Sequence, residues 1–313
     1  MPRNTPVGDA WFGHRTHRPP FPPVPAVVEA VRERGWRVTL CLPALDEEET
    51  IGEICRSARR HLLEETGLVG EIIVIDSGSS DGTAAVAAEA GATVHRADAI
   101  RPDLPLLRGK GDALWKSLAV ATGDVIVWID ADVRNFAPEW VARLILPLLD
   151  DEVHFVKAFY KRTLGAAAGN GTGGRVTEIL VRPLFNLLVP ELARVLQPLA
   201  GECAGRTETL RTIPFVAGYG VDACLLVDLV DRLGLDAVAQ VDLGERVHRN
   251  RDTLELGRMS LEILHGLFVR LQAQGRIRVR DELPGDIAAL FPAPDEDPPV
   301  VAVRPALADL GSG

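Results

Sequence analysis

The first half of the chain alternates short apolar runs with segments of helical character, and this alternation limits the fold more than any other feature. Each run is too short for a helix core and is rich in the β-branched residues that favour buried strands. Strands that alternate with helices predict a parallel sheet with right-handed crossovers. The four predicted strands are Arg37–Leu42, Glu71–Ile75, Ala92–His95 and Val125–Ile129. We therefore expect an α/β fold with a mostly parallel central sheet flanked by helices.

The last of these runs ends in two carboxylates, Asp130 and Asp132, which are separated by Ala131. In open α/β sheets, ligands bind outside the carboxyl ends of the strands. An Asp-x-Asp pair at such an end offers the anionic oxygens that hard divalent cations prefer and often share with substrate phosphates. The pair also fits a strand end followed by an aspartate that caps the next helix. This stretch alone leaves both interpretations open.

The second half of the chain continues with strands and helices. The strands expected here are His154–Tyr160 and Ala237–Val241. The expected helices are Pro138–Leu149, Arg175–Gln197 with interruptions near Pro183 and Pro190, Val221–Leu233 and Thr253–Gln274. We divide the chain into an extended Pro-rich arm (1–30), a nucleotide-binding α/β half (31–150), a second half of the same domain (151–282) and a loose tail (283–313).

The charge balance and the cysteine pattern limit the function. The 313 residues carry a net charge of −10, which argues against a nucleic-acid binder because such proteins present a basic face. The four cysteines, Cys41, Cys55, Cys203 and Cys224, show no C-x-x-C spacing and are typical of reduced, buried thiols. We find neither a signal-peptide pattern nor an apolar run of bilayer length. A cytoplasmic protein that is not inserted in a membrane is expected.

A glycine-rich stretch follows the strand predicted at His154–Tyr160. Gly169, Gly171 and Gly174 match the spacing of a dinucleotide fingerprint, but at mid-chain rather than at the first βα turn. The free N–H groups of such a loop, followed by Arg175 at a predicted helix start, also suit a phosphate or a carboxylate. A dinucleotide site, an anion-binding loop and a plain surface loop all stay open here.

Two further side chains are suited to a ligand. Lys110 stands between two glycines at a predicted helix start, where little shields its ammonium from a diphosphate or a sugar hydroxyl. His248 stands among three arginines, which disfavour a protonated imidazole, and a neutral imidazole can bind a metal. A solvated lysine and a histidine without a ligand are the alternatives.

Several stretches taken together resemble known enzymes. Pro43-Ala-Leu-Asp-Glu-Glu48, Ile75-Asp-Ser-Gly-Ser-Ser-Asp-Gly-Thr83 and Asp130-Ala-Asp132 are similar to stretches of GT-A glycosyltransferases related to family 2. More specific stretches are Gly109–Trp115, Gly173–Glu178, Leu196–Glu202, Gly218–Gly220 and Val247–Arg251. These resemble the retaining glucosyl-3-phosphoglycerate and mannosyl-3-phosphoglycerate synthases of glycosyltransferase family 81. The resemblance extends over about residues 38–272.

The resemblance implies a GT-A fold, which is a Rossmann-like nucleotide-diphospho-sugar transferase fold, with a C-terminal helical region on the acceptor side. It implies transfer of glucose or mannose, with retention, from UDP-glucose, GDP-glucose or GDP-mannose to the 2-hydroxyl of 3-phosphoglycerate. The product would serve compatible-solute or methylglucose polysaccharide synthesis. Mg²⁺ or Mn²⁺ and a homodimer are also implied. Retention in such enzymes is explained by front-face attack, in which the leaving phosphate accepts the proton of the acceptor.

The resemblance also assigns roles to individual residues. The expected catalytic residues are Lys110, Asp130, Asp132 and Asp222. The residues expected at the nucleotide sugar are Pro43, Ala44, Leu45, Glu47, Ser77, Lys110, Asp130, Ala131, Tyr219 and Arg246. The residues expected at the acceptor are Gly174, Arg175, Thr177 and Asn250. The expected metal ligands are Asp132 and His248, with Asp130 on the ribose or on the water shell of the metal.

Three positions depart from the family pattern. They are Ala131 where serine is common, Asp222 where glutamate is expected and Asp46 where asparagine is usual. Because the acid beside the hexose is one methylene shorter, the choice between glucose and mannose is open. The choice between uracil and guanine is open too. Two other functions stay open at this point. They are a glycosyltransferase of the same fold that acts on a polyprenyl phosphate or a polysaccharide, and an NAD-dependent oxidoreductase.

Overall fold

The computed structural model describes residues 7–105, 107, 109–162, 174–247, 253–279 and 302–310. The strands are β1 (Thr16–His17), β2 (Val38–Ala44), β3 (Glu71–Asp76), β4 (Thr93–Arg96), β5 (Val125–Trp128), β6 (Phe155–Arg162), β7 (Cys203–Arg206), β8 (Phe215–Val216), β9 (Val238–Arg246) and β10 (Val303–Arg304). Eight of them form one sheet in the order β1-β9-β6-β7-β5-β2-β3-β4, and β8 and β10 form a separate pair.

Most neighbouring strands in the large sheet run parallel, as the sequence predicts, and β7 is antiparallel to both β5 and β6. In the centre of the sheet β2 pairs with β5, so that Val38 lies opposite Val125. Every residue of β5 is buried, as expected for a parallel strand covered on both faces. The carboxyl ends of β2, β3 and β5 therefore meet at one edge of the sheet.

Helices cover both faces of the sheet. They are α1 (Val7–Arg15), α2 (Val24–Glu33), α3 (Glu48–Ala58), α4 (Thr83–Glu89), α5 (Lys110–Val120), α6 (Glu139–Ile145), α7 (Arg182–Leu188), α8 (Thr207–Arg211), α9 (Val221–Leu233) and α10 (Thr253–Ala273). Alternate residues of β2 enter different cores: Leu40 and Leu42 belong to one apolar cluster and Cys41 to the other. None of the described helices is both long enough and apolar enough to cross a bilayer.

The helix predicted at Arg175–Gln197 is shorter in the structure. A π-helical turn at Thr177–Val181 leads into α7, which ends at Leu188, and a 3₁₀ turn begins at Pro190. Proline has no N–H and disfavours a helical conformation in the residue before it. Val189 accordingly leaves the helical region, with φ −141° and ψ 61°.

The expectation of an extended N-terminal arm is wrong for the described residues. From Val7 onward the chain forms α1, the short strand β1 and then α2. The side chain of Trp11 is buried, and its Nε1 donates a hydrogen bond to the carbonyl of Val238 at 2.8 Å. Arg15 is also buried and donates to Asp150 at 2.5 Å. The aromatic and charged residues of α1 attach it to the sheet, and the prolines form the link to α2.

The expectation of a loose C-terminal tail is wrong for residues 302–310. β10 pairs with β8 in antiparallel fashion, with Val303 opposite Val216 and Arg304 opposite Phe215. Arg304 is only 3% exposed and Ala306 only 5%. The partner of this segment lies far earlier in the chain, so the local composition of the tail, rich in Pro and Asp, gives no sign of the pairing.

Candidate active site

The two carboxylates predicted as a metal site lie just beyond the carboxyl end of β5. The chain leaves the core there, and the side chains of Asp130 and Asp132 are 21% and 33% exposed. Gly201 packs so closely that a Cβ atom on it would lie 1.9 Å from Oδ2 of Asp130. The hydroxyl of Thr50 donates to the carbonyl of Ala131 at 2.6 Å. The turn after β5 is thus fixed from two sides.

Lys110 is the first residue of α5 and follows Gly109, whose φ of +102° is rarely adopted by residues with a side chain. Its Nζ lies 2.9 Å from Oδ1 of Asp130 and 3.2 Å from Oδ2 of Asp222. Burial acts to lower the pKa of Lys110, but the two carboxylates outweigh burial and raise it well above its usual value. Burial acts to raise the pKa of Asp130, while Lys110 and Arg246 hold it below its ordinary range. Both groups are charged at neutral pH.

A second lysine, Lys157, reaches the same site from the sheet, and the sequence analysis missed it. It lies in β6, is fully buried and donates from Nζ to Oδ1 of Asp222 at 2.6 Å. Both oxygens of Asp222 therefore contact lysines. In the sequence, Lys157 interrupts the apolar run Phe155–Tyr160. Because a buried charge is costly unless it is paired, that interruption was the available signal.

Arg246, the last residue of β9, joins the two predicted carboxylates. Its Nη2 donates to Oδ2 of Asp130 at 3.0 Å and to Oδ1 of Asp132 at 2.8 Å. The guanidinium carbon lies 5.5 Å from the centre of the Tyr160 ring, within the range of a cation–π contact. Arg246 thus holds together the pair of carboxylates that the sequence predicts as a metal site.

Arg246 also lies beside Glu202, a fully buried residue that ends one of the stretches carrying the resemblance but has no predicted role. The Nε of Arg246 is 2.8 Å from Oε1 of Glu202, but at an angle that makes no hydrogen bond. Burial raises the pKa of Glu202, Arg246 opposes this, and Asp130 adds to it, so that the pKa lies above its ordinary value. Among the described residues, the Glu202 carboxylate has no hydrogen-bond partner. This charge is stabilised only in part.

The residues predicted to border the nucleoside lie together at the same edge of the sheet. Pro43 and Ala44 end β2, Leu45 follows them, and Glu47 precedes the first residue of α3. Ser77 follows β3 and donates from its N–H to the carbonyl of Ala44 at 2.9 Å. Leu45 is 53% exposed and presents an apolar side chain at this edge. The structure therefore brings these five residues together.

The loop between β8 and α9 carries the next predicted residue, Tyr219. Its side chain is 38% exposed, and its N–H donates to Oε2 of Glu262 in α10 at 3.0 Å. The preceding Gly218 lies so close that a Cβ atom there would be 2.3 Å from the same oxygen. Asp222 follows in the first turn of α9. This loop places Tyr219 and Asp222 near Lys110.

The acceptor side falls only partly within the described residues. Gly174 is half-buried, Arg175 is exposed and Thr177 is buried, all at the start of the segment that leads into α7. His248 and Asn250, predicted as a metal ligand and an acceptor-binding residue, lie outside the described residues. So does most of the glycine-rich loop.

The described part of the site fits a hard divalent cation that is held jointly with a substrate. Asp132 is partly exposed at the sheet edge and offers carboxylate oxygens. Within the described ranges, no group of three His, Cys, Asp or Glu side chains could hold an ion by itself. Mg²⁺ typically binds one or two carboxylates and completes its shell with waters and substrate phosphates. The donor set suits that arrangement and does not suit a closed structural metal site.

Comparisons with known proteins agree with one another. The model of glycosyl transferase family 2 matches residues 39–189. Glucosyl-3-phosphoglycerate synthase from Mycolicibacterium paratuberculosis is 48% identical over 274 residues, which cover 86% of this chain and 82% of that protein. The enzyme of the same name from Petrotoga mobilis is 41% identical over 270 residues, which cover 85% and 83%.

Solved structures of similar proteins share the whole fold. Glucosyl-3-phosphoglycerate synthase from Mycobacterium tuberculosis, in complex with Mn²⁺, UDP-glucose and phosphoglyceric acid, matches with a TM-score of 0.80 at 41% identity, over 94% of this chain and 98% of that one. Mannosyl-3-phosphoglycerate synthase from Rubrobacter xylanophilus matches with a TM-score of 0.85 at 35% identity, over 96% and 99%.

Proposed function

The chain belongs to the glucosyl-3-phosphoglycerate synthase family of glycosyltransferases, and we propose that it transfers a hexosyl unit, with retention, from a nucleoside diphosphate sugar to the 2-hydroxyl of 3-phosphoglycerate. The resemblance found in the sequence and the GT-A fold that it implies are both confirmed. The names of the curated relatives favour 3-phosphoglycerate over a polyprenyl phosphate as the acceptor. The fold is that of glycosyltransferases and not that of an NAD-dependent oxidoreductase.

One observation carries this proposal: a lysine and an arginine converge on the Asp-x-Asp pair at the sheet edge where nucleotides bind. Cleavage of a sugar–diphosphate bond develops negative charge on the departing diphosphate, which fixed cations stabilise. Lys110 keeps its proton because its pKa is raised. In the described arrangement Asp130 and Asp222 hold the ammonium. On donor binding, the ammonium turns toward the diphosphate.

The proposed metal ligands are Asp132 and His248, for Mg²⁺ or Mn²⁺. When bound, the ion supplies a Lewis acid that neutralises diphosphate charge without any proton transfer. Glucosyl-3-phosphoglycerate synthase from Mycobacterium tuberculosis has been solved in complex with Mn²⁺ and UDP-glucose and in complex with Mg²⁺ and UDP. Asp130 is proposed to bind the ribose or the water shell of the metal. Arg246 keeps Asp130 and Asp132 together before a ligand arrives.

The other site residues keep the roles expected from the sequence. The residues proposed to border the nucleoside and diphosphate are Pro43, Ala44, Leu45, Glu47, Ser77 and Ala131. The residues proposed to surround the hexose are Tyr219, Asp222 and Arg246. The residues proposed to hold the acceptor are Gly174, Arg175, Thr177 and Asn250. Their support is position: those in the described residues lie at the same sheet edge or at the start of the segment leading into α7.

Front-face attack fits the contacts of Asp222, the carboxylate proposed at the hexose. Its two oxygens contact Lys110 and Lys157 at 3.2 and 2.6 Å. Because each oxygen faces an ammonium group, the geometry favours Asp222 as an anchor for the two lysines. The leaving phosphate then accepts the proton of the acceptor hydroxyl. The role of Asp222 is therefore to orient the lysines and the sugar.

Glucose from UDP-glucose is the proposed donor. The relatives at 48% and 41% identity carry the glucosyl name, and the mannosyl enzyme is 35% identical. The shorter acid at Asp222 is tied to the sheet by Lys157, so its reach toward the sugar is limited by that contact. Sugar choice thus depends on this ion pair as well as on the hydroxyl groups of the hexose.

The arrangement of the whole protein completes the proposal. Residues 31–150 form the nucleotide-sugar half and residues 151–282 the acceptor half of one GT-A domain. Both halves contribute strands to the large sheet. We place the protein in the cytoplasm as a homodimer. Light scattering on the purified chain at several concentrations measures the second point, and a monomer at all concentrations contradicts it.

The deciding experiment is incubation with Mg²⁺, 3-phosphoglycerate and a panel of UDP- and GDP-hexoses, with products read by mass and by sugar identity. UDP-glucose is expected to give glucosyl-3-phosphoglycerate with the α configuration of the donor. Omission of the metal is expected to stop the reaction. Inverted product rejects retention, transfer to water alone rejects the acceptor, and a product formed only from GDP-mannose rejects the glucosyl donor.

A further inference from the structure

The C-terminal segment 302–310 contacts β8 and α5, which carry or lead into residues of the proposed donor site. β10 pairs with β8, and the N–H of Ala217 donates to the carbonyl of Ala302 at 2.9 Å. β8 leads directly into the loop of Tyr219 and then into the first turn of α9 with Asp222. Segment 302–310 is thus paired with β8, and β8 is followed within a few residues by Tyr219 and Asp222, the two residues proposed to contact the donor.

Arg304 is the charged centre of this contact. It is 3% exposed, and its Nε donates to Oδ1 of Asp112 at 2.7 Å while Nη2 donates to the carbonyl of Pro105 at 2.8 Å. Its guanidinium carbon lies 5.1 Å from the ring centre of Trp115. The indole of Trp115 in turn donates to the carbonyl of Pro305 at 2.8 Å. The segment is therefore attached to α5 by directional bonds and not only by apolar packing.

The contact falls on the first turn of α5. Asp112 is two residues beyond Lys110 and is itself buried, with Nζ of Lys116 at 3.1 Å from its second oxygen. Arg304 and Lys116 thus hold the two oxygens of one carboxylate. A buried carboxylate is strongly disfavoured without such partners. Loss of Arg304 would leave Asp112 with one cation and free the turn that carries Lys110.

β8 is packed directly against that same turn. The N–H of Asp112 donates to the carbonyl of Ala217 at 3.0 Å. A Cβ atom on Gly111 would lie 1.8 Å from the carbonyl oxygen of Val216, so the two backbones approach as closely as only glycine permits. β8 therefore has two neighbours. It pairs with β10 as a strand, and the backbone at Val216 and Ala217 packs against the first turn of α5.

From this arrangement we infer that Arg304 is a positioning residue, and that segment 302–310 fixes Lys110 relative to Asp130 and Asp222 by holding α5 and β8 together. The inference deepens the proposed function, because it rests on Lys110 acting at the donor diphosphate. Lys110 contacts both carboxylates across distances of about 3 Å, so a shift of the first turn of α5 by about 1 Å misplaces its charge, and such misplacements cost about a hundredfold in rate.

The chain offers a matched control for the loss of a buried Arg–Asp pair. Arg270 of α10 donates to both oxygens of Asp228 in α9, at 2.9 to 3.0 Å, and the Asp228 side chain is 4% exposed. Neither residue belongs to the proposed donor or acceptor site. Arg304→Met and Arg270→Met are both expected to lower the thermal midpoint. Only Arg304→Met is expected to lower kcat/KM for the donor, by about tenfold to a hundredfold.

Hydrogen–deuterium exchange tests the positioning itself without requiring activity. In the full-length protein, Arg304→Met is expected to increase exchange in the peptide covering residues 109–120, and Arg270→Met is expected to leave that peptide unchanged. Unchanged exchange in Arg304→Met overturns the inference, as does a kcat/KM equal to that of Arg270→Met when both are folded. If the wild-type protein transfers no hexose to 3-phosphoglycerate, the proposed function fails, and the exchange result still decides the positioning role.

Two further variants cover a failure of Arg304→Met to fold. Arg304→Lys keeps the charge but cannot donate to both Asp112 and Pro105 in the same way, so a partial loss of kcat/KM is expected. Asp112→Asn in the full-length chain keeps the shape of the side chain and removes the charge that Arg304 contacts, so it is expected to lower kcat/KM for the donor as well. Full activity of both Arg304→Lys and Asp112→Asn rejects the role of Arg304.

Discussion

Two clusters of buried charges lie close together along α9, and they differ in how their cations are shared between carboxylates. Asp228 pairs with Arg270, and its oxygens accept three hydrogen bonds from that guanidinium and one from Gln274. One to two turns earlier on the same helix, Asp222 is shared between two lysines, and one of these, Lys110, is shared again with Asp130.

This difference in pairing distinguishes the charges that stabilise the fold from those that can contact a ligand. In the Asp228 cluster both carboxylate oxygens accept hydrogen bonds from Arg270, and this pair holds α9 against α10. The site cluster contains shared partners and a carboxylate, Glu202, without a hydrogen bond among the described residues. Buried polar groups without a hydrogen bond are rare in folded proteins, and a catalytic role or a bound ion is among their explanations.

The largest expected effect is that of Asp132→Ala. The carboxylate is a proposed ligand of the metal that neutralises the diphosphate, a contribution of several kcal/mol. We expect kcat/KM to fall by about a thousandfold or more, which corresponds to about 4 kcal/mol. Loss of Mn²⁺ binding in the presence of UDP, measured by calorimetry, should accompany the loss of rate. His248→Ala is expected to behave in the same way.

The fold should survive Asp132→Ala, because the Asp132 side chain is partly exposed. Asp236→Ala removes an exposed carboxylate far from the sheet edge in question and serves as the control with unchanged rate and metal binding. Full activity of Asp132→Ala would show that turnover does not need Asp132 as a metal ligand. The proposal that the site cluster is the one available to a ligand would then lose its main support.

A smaller effect is expected from Lys157→Met, set against Arg270→Met. Each removes one cation from a buried carboxylate, and loss of one partner of a buried pair costs about 3–5 kcal/mol of stability. Both variants should therefore show lower unfolding midpoints in denaturant. Lys157→Met alone should also lower kcat/KM for the donor, by about tenfold or more, because Asp222 loses one of its two anchors. Equal kinetics in the two variants would make Lys157 purely structural.

The third prediction concerns the acceptor side, where the described charges are exposed. Arg175 lies at the start of the segment leading into α7 and is well shaped for a bidentate contact with a carboxylate or a phosphate. We expect Arg175→Ala to raise the KM for 3-phosphoglycerate by about tenfold, with a much smaller change in the donor KM. Arg182→Ala, which removes a nearby arginine paired with Glu178, is the control. The reverse pattern of KM values would contradict the assignment.

Local patterns account for the parts of the site that could be predicted. Asp130 and Asp132 end an apolar strand, and Lys110 lies between glycines, so a few neighbouring residues were enough to select them. The resemblance then selected Asp222 and Arg246, and the structure brings all five together. The parallel sheet was predictable for the same reason, because the period of a buried strand is visible within a short window.

Contacts between distant residues account for the parts that could not be predicted. Lys157 and Glu202 become meaningful only when β6, β7 and β9 stand side by side, and no short window shows that neighbourhood. Arg304 is the extreme case, since its partner Asp112 lies on a helix in the first half of the chain. The tail is rich in Pro and Asp, and this composition predicted a loose segment. In the structure, one buried ion pair and one short strand attach residues 302–310 to the rest of the domain.

The smallest expected effect is a pH dependence, and it tests how completely Glu202 is stabilised in its buried position. Burial raises the pKa of Glu202 above its ordinary value, so the folded state holds this proton more tightly than the unfolded chain does. The contribution of Glu202 to stability is then greatest at a pH below its unfolded pKa and declines as pH rises through the interval up to its folded pKa. Glutamine does not titrate, so the thermal midpoint of Glu202→Gln relative to wild type should rise as the pH increases above the ordinary pKa of a glutamate carboxyl. Glu191→Gln, at a partly exposed carboxylate paired with Arg276, controls for the amide substitution. A difference for Glu202→Gln that stays constant with pH would mean that Arg246 fully offsets the burial of Glu202, and the incomplete stabilisation of this carboxylate would then be refuted.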